Sequence, residues 1–279
     1  MFGRWSDAGW QENREPEGFF EIRERLAQAD LSLINLETAL CEHEQAAESA
    51  PLLTSQRHRF TAPPAYADWL VAAGVDVAIV ANNHAMDCGP QSLAWTIEHL
   101  SQRNIGAAGA PGTPVERDAR FGATLLAFAG GRALVTAATV HASPIQTRPF
   151  SGPTTIRHWE RDLASFVAHV GVLRATYADA LLIVSLHWGR ELAQHPAPHQ
   201  RAAARRFVDA GADIVYGHGT HVVQELEIYD QKAIVYSAGN LFFDMRQPET
   251  RAPGLIELDL VWDGRWQASS IVTLNSLAQ

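Results

Sequence analysis

Apolar positions along the chain follow two alternating rhythms, one spaced like a helix face and one continuous or falling on every second residue. Phe19 to Ala29 carries apolar residues at helical spacing, and Leu31–Leu36 after it alternates in part like a strand. Pro63 to Ala73 predicts a helix with proline near its start and Gly74 just past its end, and the β-branched run Val75–Val80 predicts a buried strand. The alternation continues with a helix over Pro90–Arg103 and short strands over Thr124–Phe128 and Ala133–Thr139. A long helix over Trp159–Tyr177 then leads to a strand at Ala180–Leu186. Pro198 to Ala210 is again helical, Gly211 stops it, and Asp213–Tyr216 reads as a strand. Beyond this point the helical rhythm ends. Glu225–Tyr229, Ala233–Ser237, Leu255–Trp262 and Ser270–Leu274 predict antiparallel strands, with turns at Asp230–Lys232 and Asp263–Gly264. Cys41 to Arg59, rich in Glu, Gln, His and Ser, reads as a surface loop that could cover or line a site, and Ser143–Thr155 as a connection. Helix–strand units giving way to strands predict an α/β fold of two packed mixed sheets flanked by helices. No linker or repeat divides 1–279, so a single domain is expected.

Composition narrows the function classes. An apolar fraction of 47% over 279 residues supplies a substantial core. Two cysteines, Cys41 and Cys88, are too few for a disulfide framework or a four-cysteine zinc site; the chain is expected to fold without crosslinks, which favours a reducing compartment, the cytoplasm. With 22 basic against 31 acidic side chains, a net charge of −9 and Lys232 as the sole lysine, broad electrostatic binding to nucleic acid or anionic lipid is disfavoured. No window approaches the roughly 20 apolar residues of a membrane helix, and Met1–Pro16 has no apolar signal core. The expectation is a soluble protein without a membrane anchor.

Against that background four segments stand out, each where a hydrophobic strand runs into a loop: Asn35–Glu37, Asn82–Asp87, His187–Glu191 and Gly217–His221. Imidazole, carboxamide and carboxylate groups at stiff strand ends are first-row metal ligand types. Glu37 ends a buried strand, where a carboxylate needs a cation, a hydrogen-bond network or water, although it could equally cap a nearby helix. Asn83 and His84 follow Val80–Ala81, with Asp87 three residues on and able to orient the His84 ring. A structural turn accounts for Asn82–Asn83 as well, but not for His84 and Asp87. His187 ends a strand, which by itself suits a satisfied core histidine; Glu191 nearby suits a supporting partner or substrate contact. His218 and His221 sit in a turn that Gly217 and Gly219 allow to fold tightly. The remaining histidines read as surface or core, His141 being the reserve candidate. Ser237 and Asn240 lie in Tyr236–Asp244, either a plain turn or a close backbone approach to a ligand. Rival chemistries fail on spacing. Gly106–Gly112 lacks a dinucleotide fingerprint, no Lys-Ser/Thr phosphate loop or Gly-x-Ser-x-Gly elbow occurs, and neither cysteine has the setting of a nucleophile.

Taken together, Asn-Leu-Glu-Thr, Asn-Asn-His-Ala-Met-Asp-x-Gly, His-Trp-Gly-x-Glu, Gly-Ala-Asp-Ile-Val-x-Gly-His-x-x-His-Val-Val-Gln and Tyr-Ser-x-Gly-Asn resemble, in that order, the CapA-like capsule (poly-γ-glutamate) biosynthesis proteins, from about Met1 to Asp244. That family resembles a branch of the calcineurin-like metallophosphoesterases. The resemblance implies a four-layer α/β/β/α sandwich with a metal centre of one or two divalent ions (Mn, Fe or Zn) between the sheets. It further implies Glu37 as a bridging carboxylate, Asn83, His187, His218 and His221 as ligands, and His84 with Asp87 as the acid for a leaving group. Asn35, Arg4, Glu191, Ser237 and Asn240 would support the substrate or the ligands. In the family a strand ending in Gly-Asp precedes a Met-x-Gly-Arg stretch. Met1–Arg4 matches that stretch without the Gly-Asp, so the resemblance implies a first strand apparently lacking and either a later start or an altered centre. Cys88, where the family usually has an aromatic residue, implies a change in packing or pocket shape. The expected activity is metal-dependent hydrolysis or transfer at a phosphoester or a γ-glutamyl or other peptide-like amide of a small-molecule or peptide-like substrate. The alternative is a non-catalytic binding or assembly factor in polymer synthesis.

Overall fold

The computed structural model describes residues 2–3, 19–49, 58–111, 121–141, 152–243, 245, 247–250 and 254–274. Its first half runs β1 (Phe2–Gly3), α1 (Phe19–Gln28), β2 (Leu33–Glu37), β3 (Ala39–Leu40), α2 (His43–Ser49), β4 (Thr61–Ala62), α3 (Tyr66–Ala72), β5 (Val77–Ile79), α4 (Ser92–Ser101) and β6 (Gly106–Ala108). The second half runs β7 (Ala123–Phe128), β8 (Gly131–Thr139), α5 (Trp159–Thr176), β9 (Leu181–His187), α6 (Pro198–Asp209), β10 (Ile214–His218), β11 (Leu226–Tyr229), β12 (Lys232–Val235), β13 (Leu255–Trp262) and β14 (Trp266–Leu274).

Two sheets carry the fold. One is parallel, in the order β1-β2-β5-β6. The other has the order β11-β12-β10-β9-β8-β7, with four parallel central strands and an antiparallel strand at each edge. Strand alternation assigns each side chain to a face. On β2, Ile34 and Leu36 join Ile22 and Leu26 of α1 and residues of α3 and α4 in one core. On β9, Leu182, Val184 and Leu186 join Phe166 and Val170 of α5 and Phe207 of α6 in a second. The opposite faces meet each other. Val77 and Ile79 of β5 pack with Val135 of β8, Leu181 and Ile183 of β9 and Ile214 of β10, with Leu33 against them. This inter-sheet face is apolar where the strands begin and polar where they end. The sequence continues Leu33 into Asn35 and Glu37, Ile183 into Ser185 and His187, and Ile214 past Tyr216 into His218. Because the central strands are parallel, those polar ends gather at one rim.

Several expectations change. The stretch read as a loop from Cys41 contains α2, opened by a hydrogen bond from the Glu42 backbone to the Gln45 side chain (2.8 Å), and the two-residue ladder β3–β4 flanks it. The strand β6 was hidden in Gly106–Ala108, whose small side chains carry no strand signal; its register with β5 forms it. The late strands are not all antiparallel: β12 lies parallel to β10, and β13–β14 make a separate hairpin. The two-residue strand β1, within the Met1–Arg4 stretch, pairs parallel with Leu36 and Glu37 at the edge of the first sheet. Cys41 and Cys88, expected as free thiols, form a disulfide with Cα atoms 6.5 Å apart, within the bridging range. Two cysteines 47 residues apart carry no pairing pattern, so the step from cysteine count to a reducing compartment does not hold. Among the described residues no helix is long and apolar enough to cross a membrane.

Candidate metal centre at the strand ends

Glu37 is 1% exposed, and its Oε1 lies 4.0 Å from His187 Nε2 and 3.9 Å from His221 Nε2. Its other oxygen accepts a hydrogen bond from the Asn35 amide at 3.2 Å. The ladder sets His187 directly across from His218, and their Nδ1 atoms are 2.9 Å apart. His218 Nε2 contacts the Ser185 hydroxyl at 3.1 Å. Burial above all, and then the neighbouring imidazoles of His218, His141, His221 and His84, hold the His187 pKa well below its ordinary value. Burial does the same to His218. Both rings are thus neutral, the form in which imidazole binds a metal. Gly217, the residue before His218 on β10, is compulsory, since a Cβ there would come within 2.0 Å of the Tyr236 carbonyl oxygen. His221 has a left-handed backbone (φ 64°), which costs a residue other than glycine about 1–2 kcal/mol. Its Nδ1 is fixed by Asn240 Oδ1 at 3.0 Å, while Ser237 accepts from Thr220 (2.9 Å) and steadies the same turn.

The second feature is the His84–Asp87 pair. His84 Nδ1 is 2.7 Å from Asp87 Oδ2, which also accepts from the Phe60 backbone N–H at 2.6 Å. Phe60 stacks on the imidazole with centroids 3.7 Å apart. Asn82 ties this turn to β2: its amide donates to the Leu36 carbonyl (2.8 Å) and the Asn35 side chain (3.3 Å), and its own oxygen accepts from the His84 backbone. Next to it, Asn83 Oδ1 is buried with no hydrogen-bond partner.

The structure therefore brings Glu37, His187, His218 and His221 together, sets Asn35 and Asn240 behind them, and holds His84 on Asp87. Glu191 is exposed and follows the Gly189 turn (φ 87°). Arg4 and Asp244 lie outside the described residues. Asn82, Ser185 and Phe60 were missed. Ser185 was legible, two positions before His187 on the same strand face; Phe60 gave no signal. Among the described residues, no three His, Cys, Asp or Glu side chains converge as a ready-made cage. The donors nevertheless fit a divalent cation: a buried carboxylate with imidazole nitrogens of His187 and His221 at 4.0 and 3.9 Å, and a buried carboxamide oxygen left without a donor.

These features define an α/β protein with a candidate metal site at the rim between two sheets. The chain belongs to the bacterial capsule synthesis protein PGA_cap family, whose model matches residues 1–245. It is 33% identical over 185 residues to the PGA biosynthesis protein CapA of Bacillus subtilis, covering 66% of this chain and 47% of that protein. It is 32% identical over 221 residues to a Mycobacterium tuberculosis protein named "Probable polyglutamine synthesis accessory protein", covering 77% and 56%. The chain thus spans about half the length of these curated relatives. Among solved structures, it is similar to a phosphatase from Mycoplasma pneumoniae at 17% identity and a TM-score of 0.45, over 80% of this chain and 67% of that one.

Proposed function

We propose that this chain is a metal-dependent hydrolase or transferase acting on a phosphoester or a γ-glutamyl or other peptide-like amide, built as one domain in a four-layer α/β/β/α sandwich of metallophosphoesterase type. The observation that carries this reading is the buried cluster of Glu37, His187, His218 and His221 beside the His84–Asp87 pair. Glu37 and Asn83 offer oxygen, and His187, His218 and His221 offer nitrogen, to one or two divalent ions (Mn, Fe or Zn). When bound, such an ion supplies Lewis acidity and an activated water. Asn240 holds the His221 ring in its ligating orientation, and Asp87 orients the His84 ring for proton transfer. With Nδ1 engaged, His84 exchanges a proton with the leaving group through Nε2.

The test combines elemental analysis with turnover of γ-glutamyl amides and aryl phosphates in the presence of Mn. His84→Ala abolishes turnover and leaves metal content intact, whereas His218→Ala lowers both. Undiminished turnover in the first variant, or full metal content in the second, refutes these roles. A second reading, a non-catalytic accessory factor in polymer synthesis, draws support from the direct His187–His218 contact and the lack of a ready-made cage among the described residues. It requires that the protein keep no stoichiometric metal after mild dialysis.

A further inference from the structure

Away from the cluster, where the strands of both sheets begin, lies a cavity of about 590 Å³. Two of its sides are consecutive stretches of chain, residues 28–34 leading into β2 and residues 254–260 along β13. A strand shows alternate residues when its face lines a space and every residue when its edge does, so β2 and β13 both present edges here. The floor, by contrast, is a face: Leu181 and Ile183 of β9 and Ile214 and Tyr216 of β10, each pair two residues apart. Leu26 and Leu255 close the helix side. Among the described residues none of β5 lines the cavity, so it lies on the side of β2 that β1 occupies further on, at Leu36 and Glu37. Both edges are open. The Ser32 carbonyl accepts from the Asp76 and Val77 N–H groups, toward β5, so alternation turns the Leu33 N–H and C=O the other way, into the cavity. Among the described residues nothing pairs with them. β13 is paired on one side only, with β14.

A gap bounded by two strand edges and floored by the face of the second sheet has the form of one strand. An open backbone edge in apolar surroundings costs free energy until it is paired, and a peptide strand supplies both the hydrogen bonds and the side chains. An alkyl chain fills the same volume but leaves Leu33 unpaired. We propose that this slot docks an extended peptide strand, in line with β1, whose side chains are uncharged and aliphatic over about four residues, or roughly 13 Å. Both faces of such a strand meet apolar walls, which selects a continuous β-branched run over an alternating one. β2 and β10 run from the slot to Glu37 and His218, so its occupant stiffens the two strands that carry them. The docking does not depend on the proposed hydrolase.

The experiment titrates the full chain with the capped peptide Lys-Val-Ile-Ala-Val-Lys, with a copy N-methylated on its backbone, and with dodecanol. Binding is read by calorimetry and by hydrogen exchange at the Leu33 amide. The peptide binds and slows that exchange at least tenfold. Its N-methylated copy, which keeps the side chains but cannot donate along a strand edge, binds at least tenfold more weakly, and dodecanol leaves the exchange unchanged. Leu258→Arg puts a charge into the slot from the half-buried hairpin and weakens the peptide at least tenfold, with melting curves to confirm the fold. Ile228→Lys charges the exposed outer edge strand β11 of the second sheet and leaves the affinity unchanged. Absence of peptide binding, equal binding of the N-methylated copy, or protection of Leu33 by dodecanol overturns the proposal. Loss of the peptide in Ile228→Lys with retention in Leu258→Arg also overturns it, by moving the added strand to β11.

Discussion

Opening the Cys41–Cys88 disulfide tests the fold at the point where sequence and structure differ most. The bond closes a span of 47 residues. Loop-closure entropy for that span corresponds to about 4 kcal/mol at 25 °C, acting on the unfolded chain. The native state loses little, because both thiols stay buried against Ala39, Ala46 and Trp95, where a reduced cysteine packs as a small apolar group. Reduction, or the double change Cys41→Ala/Cys88→Ala, should lower stability by up to about 4 kcal/mol, or roughly 8–16 °C in melting temperature for a chain of this size. Urea unfolding with and without reductant measures it: the midpoint falls, and the slope rises because a chain freed of its crosslink exposes more surface on unfolding. Asp87 keeps its bond from Phe60 in either state, so well below the transition the His84–Asp87 geometry persists and turnover per folded molecule changes by less than about twofold. Two titratable thiols in protein purified without reductant, or coincident midpoints, would refute this account.

Three further outcomes follow from buried charge. Glu37→Gln removes a buried carboxylate whose hydrogen bond among the described residues comes from the neutral Asn35 amide, so the metal-free protein gains about 1–3 kcal/mol while metal affinity falls at least tenfold; thermal shifts with chelator and with Mn check both. Asp213→Ala strands two cations, since Asp213 receives Lys232 Nζ at 2.6 Å and the Arg174 guanidinium, and should cost about 3–5 kcal/mol by chemical denaturation. Burial pushes the Tyr216 phenol up to about 12, against an unfolded value of roughly 10. Its contribution is therefore complete below pH 10 and is lost as pH rises through about 12. Tyr216→Phe should make the alkaline decline in melting temperature shallower over that window. Tyr66 and Tyr236, raised by burial in the same direction, leave a residual slope.

How much of the site could be read from sequence depends on how each residue reaches it. Glu37, His187 and His218 were legible because each continues the every-second-residue rhythm of an apolar strand, so its facing is set before any tertiary contact forms. Glu191 shows the limit of that rhythm: it follows a left-handed glycine, Gly189, and is exposed, so strand alternation does not set where it faces. Phe60 and the disulfide were invisible for a different reason: both depend on β3 and β4, two-residue strands too short to leave a periodic trace. Yet that small ladder brings the Phe60 ring over His84 and its N–H to Asp87, and sets Cys41 against Cys88. The candidate ligands thus come from strand patterning, while the support of the candidate acid comes from a segment that reads as featureless loop. A change in Cys41–Ala62 should therefore alter proton transfer more than metal affinity.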